Sequence, residues 1–467
     1  MFYPLNYRAL CNSYRYNFLF LFTINLNFTT FAIVWKNIRL GNVWRFPYMA
    51  GEHGGGVYII VYIACVLLLG IPCIVSEFVI GRRAASNTAR AYGILSGGKP
   101  WMLVGLLGVL TGFLISGYYA VVSGWCLHYI YASVAGHLHG SPDFFAGYFS
   151  SFETNPWKPA FWTLLFMLIT HLIIIRGIRG GIEKASKLMM PILFVLLIVI
   201  VVLSCMLPGA MEGVKFLFEP DFSKVDGSMF LGALGQAFFS LSIGMGCLCT
   251  YASYFSKDTD LMKSAAQIAF IDTVVAVLAG LMIFPAAFSV GISPDSGPSL
   301  VFITLPNVFQ QAFSSMPAVG YVVSAAFYAL LALAALTSII SMHEASTVFF
   351  EEECKLSRKR AATIVTVACS VIGLVCSMSL GGYDLLTVFG RTLFDVFDFF
   401  TGQIMLPVGG FLTCIFLGWF LPHKLVRDEF TNHGTLRGRL FGIYLFCVRY
   451  VCPVGILLIF LQQFGII

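Results

Sequence analysis

The sequence predicts an all-α membrane protein of about eleven transmembrane helices. Three observations carry that prediction: an apolar composition, the spacing of the apolar runs, and the placement of the basic residues. Of 467 residues, 58% are hydrophobic and 11% charged, too little polar side chain to cover a water-soluble globule of this size. The formal net charge of +6 does not mark a nucleic-acid binder, which gathers Lys and Arg on one face. Here the cations sit in short clusters between apolar runs.

A bilayer core demands about 20 apolar residues per helix. Such stretches lie near 30–50, 57–80, 101–133, 158–175, 188–207, 228–253, 264–291, 317–350, 361–378, 394–420 and 440–464. The loops after spans 2, 4, 6, 8 and 10 hold eighteen basic residues, among them Arg82, Arg176, Lys257, Arg358 and Lys424. Opposite loops hold Lys158, Lys215 and Lys224. The positive-inside rule therefore places the N-terminus in the cytoplasm and the C-terminus outside, as an odd span count requires. The chain reads as a multi-pass protein of the cell's cytoplasmic membrane, without a small-residue cleavage site after its early apolar stretch.

Residues 1–35 form an atypical segment rich in Phe, Asn and Tyr, where a packed membrane helix favours Gly and Ala. Nearly all of the thirteen cysteines, from Cys65 and Cys73 to Cys447 and Cys452, fall inside apolar runs and read as small core side chains. His137 and His139 lack a third ligand at metal spacing. No nucleophile–base set, HExxH or phosphate loop points to an enzyme.

Two spans carry glycine and polar residues at mid-depth: Leu40-Gly41-Asn42 in span 1 and Ser240-Leu241-Ser242-Ile243-Gly244-Met245-Gly246 in span 6. Non-helical backbone survives in a membrane only where protein or a cavity covers it. Spans 1 and 6 occupy matching positions in two five-helix halves, and an odd number of spans per half inverts the second. Paired broken helices in inverted repeats point to a transport site at the midplane. Glycines that merely allow close helix packing are the alternative.

At these residues the chain resembles the neurotransmitter:sodium symporter family, in its bacterial amino-acid transporter branch. The resemblance rests on Leu40-Gly41-Asn42-Val43-Trp44-Arg45-Phe46-Pro47-Tyr48, Glu52-His53-Gly54-Gly55-Gly56, Gly235-Gln236-Ala237-Phe238-Phe239-Ser240-Leu241-Ser242 and Leu336-Thr337-Ser338. It implies a single transporter domain over 36–467, with spans 1–5 and 6–10 as repeats and span 11 accessory. The implied activity is sodium-coupled symport by alternating access.

The resemblance implies a substrate carboxylate on the amides of Leu40 and Gly41, at a half-helix N-terminus, and hydrogen-bonded by Tyr119. The ammonium group would meet carbonyls of Phe239 and Ser242. Ile115, Phe239, Met245 and Met342, with the flexible Gly244-Met245-Gly246 break, would surround the substrate's side chain. These apolar groups favour hydrophobic or aromatic L-amino acids. Two Na⁺ sites are implied: one from Asn42, Ser240, Asp272 and the substrate carboxylate, the other from Thr337, Ser338 and the carbonyls of Ala334, Trp35 and Ile38. The Thr-Ser pair can instead back-bond its own helix.

Asp272 stands where relatives usually carry Asn, inside an otherwise apolar span. Ala276 replaces the serine of chloride-dependent members, leaving Tyr62, Gln236 and Ser240 as an incomplete chloride set, so transport is expected to be chloride-independent. Arg45 and Asp398 match an outer gate, a water-assisted charge pair above a lid of Tyr119 and Phe239. Glu77 can snorkel to the cytoplasmic side or function. Gly181 and Pro191 match a fifth helix that unwinds, or mark an ordinary helix start.

One departure stands out: Trp35 and Arg39 replace Gly, and Lys36 and Arg39 would repel a cation nearby. Either the first half-helix is altered and transport impaired, or an upstream reading-frame change precedes the motif. A proton-coupled amino-acid permease, with Asp272 or Glu77 carrying the proton, and a non-transporting membrane sensor or structural subunit are the competing functions.

Overall fold

The computed structural model describes residues 40–43, 45–291, 300–381, 386–388 and 390–463. Trp35, Ile38 and the segment 1–39 lie outside the described residues.

Among the described residues, eight helices are long and apolar enough to cross a membrane: Gly56–Ala84, Met102–Val134, Gly180–Cys205, Leu261–Ser289, Pro317–Glu353, Arg358–Ser379, Leu393–Phe420 and Phe441–Gln462. These are spans 2, 3, 5, 7, 8, 9, 10 and 11. Span 4 is Lys158–Ile174, bent by 71° from a preceding helix at Asp143–Glu153. Span 6 is broken, Gly227–Leu241 followed by Cys247–Ala252. Span 1 is described from Leu40–Val43 and Arg45–Glu52 onward. Every apolar run after the first thus coincides with a helix, because in lipid a helix satisfies all its own backbone groups.

Polar residues set the helix starts. Asp226 accepts from Met229 N at 2.7 Å at the head of span 6, and Asp260 accepts from Lys263 N at 3.0 Å at the head of span 7, each satisfying an orphan donor of the first turn. The Met229 amide, then the Ser228 hydroxyl, hold the Asp226 carboxyl below the usual carboxylate range. Span 5 differs from both sequence expectations. Ile178–Glu183 forms a wide π turn containing Gly181, and the helix then runs through Pro191 without unwinding. Arg391, in a short hairpin pairing Thr387–Val388 with Arg391–Thr392, adds a cation to the side that the charge rule makes external; the bias survives it.

Apolar packing divides into two bodies. One cluster is built mainly on spans 3, 4, 5, 8 and 9, with Ile115, Phe166, Leu193, Phe327 and Val365; the other mainly on spans 1, 2, 6, 7 and 11, with Phe46, Tyr62, Phe238, Ile268 and Tyr444. Ile271 and Leu281 of span 7 pack against both. Span 8 is enclosed on all sides around Ala334, Ala335, Thr337, Ser338 and Ser341, small residues that let neighbouring backbones approach.

Ion pairs tie the basic-loop side together. Arg82 donates to Glu429 Oε2 at 2.8 Å and to Thr259 O at 2.6 Å, and also reaches the Glu429 carbonyl. Arg358 meets the buried Glu344 at 2.5 Å. Breaking a buried pair strands the remaining charge, at about 3–5 kcal/mol. Arg82→Ala is therefore expected to lower the melting temperature of the purified protein by several degrees, whereas Lys187→Ala, which removes an exposed pair with Glu183, is expected to leave it within about one degree; thermal unfolding in detergent checks both.

Candidate functional site

Within the body built on spans 1, 2, 6 and 7 lies a knot of polar groups from those four spans. Asp272, wholly buried, is its centre. Its Oδ1 accepts from Asn42 Nδ2 at 2.7 Å, and its Oδ2 accepts from Tyr62 Oη at 2.9 Å and Ser240 Oγ at 2.6 Å. Asn42 Nδ2 also reaches the Asp272 carbonyl at 3.3 Å, and Ser240 Oγ lies against Asn42 Oδ1. Gln236 Nε2 donates to Gly41 O at 3.3 Å. The oxygens of Asn42, Ser240 and Asp272 thus lie together, joined by hydrogen bonds among the three side chains.

Gly41 packs closely on Phe239: a Cβ there would come within 2.8 Å of the ring, which would have to shift. Beyond Leu241, the chain leaves the helix. Ser242 adopts φ 53°, Gly244 φ 86° and Gly246 φ 69°, a run that L side chains resist and glycine accepts. The expected break in span 6 therefore exists; the half of span 1 before Leu40 lies outside the described residues. Ser242 Oγ is buried and has no hydrogen-bond partner among the described residues.

Two features of this unwound segment were not read from the sequence. Glu77 does not snorkel: it is 2% exposed, and its Oε1 accepts from Gly244 N at 2.7 Å, satisfying a backbone donor that unwinding frees. Packing against the break, rather than proximity to the helix end, decides its role. The second feature is the glycine face of span 3. A Cβ on Gly108 would lie 3.2 Å from Gly246 N, and one on Gly112 would lie 3.5 Å from Met245 O and 3.9 Å from Met342 Cβ. The i, i+4 spacing of these glycines was the available signal.

Ile115, Tyr119, Met245 and Met342 are all buried, and Phe239 partly so. On span 8, Thr337 Oγ1 and Ser338 Oγ donate to Ala334 O at 2.8 and 3.0 Å, the back-bonding of their own helix that the sequence leaves open as the alternative; the same bonds bring three oxygens together. Arg45 and Asp398 are not joined directly: the Arg45 guanidinium sits 5.2 Å over the Phe239 ring, and Asp398 Oδ1 accepts from Tyr118 Oη at 3.0 Å. A cavity of about 240 Å³ adjoins, lined by residues including Arg45, His53, Phe239 and Gln403.

The Sodium:neurotransmitter symporter family profile matches residues 22–141 and 151–466. The chain belongs to that family. A Bacillus subtilis sodium-dependent transporter, YhdH, is 37% identical over 432 residues, covering 92% of this chain and 94% of the relative. A Haemophilus influenzae sodium-dependent transporter is 36% identical over 446 residues, 92% and 95% of the two chains. The crystal structure of MhsT in complex with L-phenylalanine aligns with TM-score 0.84 and 40% identity, over 93% of this chain and 98% of that one. The protein is thus a multi-pass, sodium-dependent symporter of this family. Its symporter fold has the broken sixth helix at the seam of the two bodies.

A Cβ at Gly108 would already press on the Gly246 backbone at 3.2 Å, so a larger side chain there has to displace the unwound segment. Gly108→Leu is expected to destabilise the protein by about 1–3 kcal/mol through overpacking against the unwound segment, while Leu164→Ala at an exposed position of span 4 is expected to change stability by less than about 0.5 kcal/mol; thermal unfolding of the two purified variants checks the contrast.

Proposed function

We propose that the chain imports hydrophobic or aromatic L-amino acids with sodium by alternating access, without chloride. The observation that carries this reading is the buried Asp272 carboxylate, held by Asn42, Tyr62 and Ser240 from three other spans. A buried carboxylate in a membrane needs a cation or a full set of donors, and this one brings oxygen ligands with it. The first Na⁺ takes Asn42, Ser240, Asp272 and the substrate carboxylate. Because the ligand set includes the substrate, substrate and ion bind better together than apart, which is the coupling. The fixed charge of Asp272 stands where chloride would balance sodium.

The second Na⁺ takes Thr337 Oγ1, Ser338 Oγ and Ala334 O, with the carbonyls of Trp35 and Ile38. The substrate carboxylate rests on the amides of Leu40 and Gly41 and on the Tyr119 hydroxyl. Its ammonium group faces the carbonyls of Phe239 and Ser242, and its side chain lies among Ile115, Phe239, Gly244, Met245 and Met342. MhsT, whose structure holds L-phenylalanine, supports a pocket for a large apolar side chain. Monoamines lack the carboxylate that completes the first ion site. Arg45 and Asp398 close the site from outside by pairing across a water. The protein works in the cytoplasmic membrane with its N-terminus inside, where the membrane potential adds about 2.3 kcal/mol per charge per 100 mV to uptake.

Proteoliposomes under an inward sodium gradient are expected to accumulate radiolabelled L-phenylalanine equally in chloride and gluconate. Uptake that ignores sodium and follows a pH gradient instead would make the protein a proton-coupled permease. No uptake of any apolar amino acid would remove the transporter reading. Asp272→Ala is expected to weaken sodium-stimulated phenylalanine binding at least tenfold; unchanged sodium affinity would refute its role as a ligand.

A further inference from the structure

Spans 2, 10 and 11 each place one cysteine at a common point inside the protein. The Sγ atoms of Cys73, Cys414 and Cys452 all lie within 4.8 Å of one another, and the Cys73 and Cys414 sulfurs are 3.6 Å apart. The three residues are 1%, 0% and 0% exposed. Cys452 also points its thiol at the Leu68 and Leu69 carbonyls, at 3.9 and 3.8 Å. Those carbonyls belong to the π turn Val66–Gly70 of span 2. Similar π turns flank the other two cysteines, Phe416–Phe420 just after Cys414 and Cys447–Val451 just before Cys452. Such turns re-aim side chains and recur at functional sites.

The geometry suits three-coordination. A soft central atom bonds sulfur at about 2.3 Å, which sets three sulfurs roughly 3.5–4 Å apart; the Cys73 and Cys414 sulfurs already stand 3.6 Å apart, and the Cys452 sulfur lies within 4.8 Å of both. Thiol ligands select soft elements, and burial then discriminates among them by charge. Three thiolates around Cd²⁺ leave one net negative charge and around Cu⁺ two, each costly away from water. Trivalent arsenic leaves none. As(OH)₃ and three thiols give a trithiolate and three waters: three As–O and three S–H bonds break, three As–S and three O–H bonds form, and no electron is transferred. Both reactant and product are uncharged.

We propose that Cys73, Cys414 and Cys452 form a buried three-thiol site for a soft trivalent metalloid, of which arsenite is the accessible probe. This site is separate from the sodium and substrate groups and does not depend on their assignment. Arsenite added to the purified full-length protein is expected to bind at one atom per chain, and X-ray absorption at the arsenic edge is expected to show three sulfur neighbours and no oxygen. Because that spectrum is recorded on the unaltered chain, it tests the site whether or not variants fold. Cys73→Ala, Cys414→Ala and Cys452→Ala are each expected to weaken arsenite binding at least tenfold, while Cys369→Ala, which removes a buried cysteine of span 9, is expected to leave it unchanged. Cd²⁺ is expected to bind at least tenfold more weakly than arsenite. Two sulfur neighbours with a retained oxygen, full arsenite affinity in the triple alanine variant, or tighter binding of Cd²⁺ would each overturn the proposal.

Discussion

The architecture around the site depends on one buried negative charge. Asp272 stands deep in span 7, where an unpartnered carboxylate would be prohibitive, and the fold meets that demand by bringing donors from spans 1, 2 and 6 to its two oxygens. Each donor comes from a different helix, so satisfying the carboxylate also fixes how those helices sit around span 7. Asn42 is placed by the helical segment Leu40–Val43, Ser240 by the last turn before span 6 unwinds, and Tyr62 by the core of span 2.

Unwinding span 6 creates a second demand, because backbone amides leave their helix in a place without water. Glu77 supplies an acceptor for Gly244 N, and Thr88 Oγ1 donates to Gly246 O at 2.6 Å. The close approach of Gly108 and Gly112 then covers the exposed backbone with span 3. Glycine appears on both sides of this contact, as a conformational necessity at Gly244 and as a steric one at Gly108. A break that would be unaffordable on a lipid-facing helix thereby becomes a stable recess for polar ligands.

The two apolar bodies meet at this recess. The Asn42, Ser240 and Asp272 cluster belongs to the body that contains spans 1, 6 and 7, and Thr337, Ser338 and Tyr119 belong to spans 8 and 3 of the other. Ligands held by both bodies exert most leverage at their seam, since binding there acts on the relative position of two internally packed units. The buried pair of Arg358 and Glu344 and the network of Arg82, Glu429 and Thr259 lie toward the basic loops. The cavity beside Arg45 and Phe239 lies near the other end of span 1.

Composition and period were enough to read the span positions, since a helix in lipid must be apolar along its whole length and every run after the first became one. The break in span 6 was legible because Gly244 and Gly246 can take positive φ and Ser240 and Ser242 are polar at mid-depth. The grouping of Asn42, Ser240 and Asp272 was legible through the family resemblance, and Asp272 stood out by itself because a carboxylate in an apolar span demands partners. The sequence could not show that Glu77 turns inward, that Tyr118 holds Asp398, that span 5 stays helical through Pro191, or that Cys73, Cys414 and Cys452 meet. Apolar pattern and backbone propensity are local, written in neighbouring residues; which side chains face one another across helices hundreds of residues apart is decided only when close packing leaves each polar group one place to go.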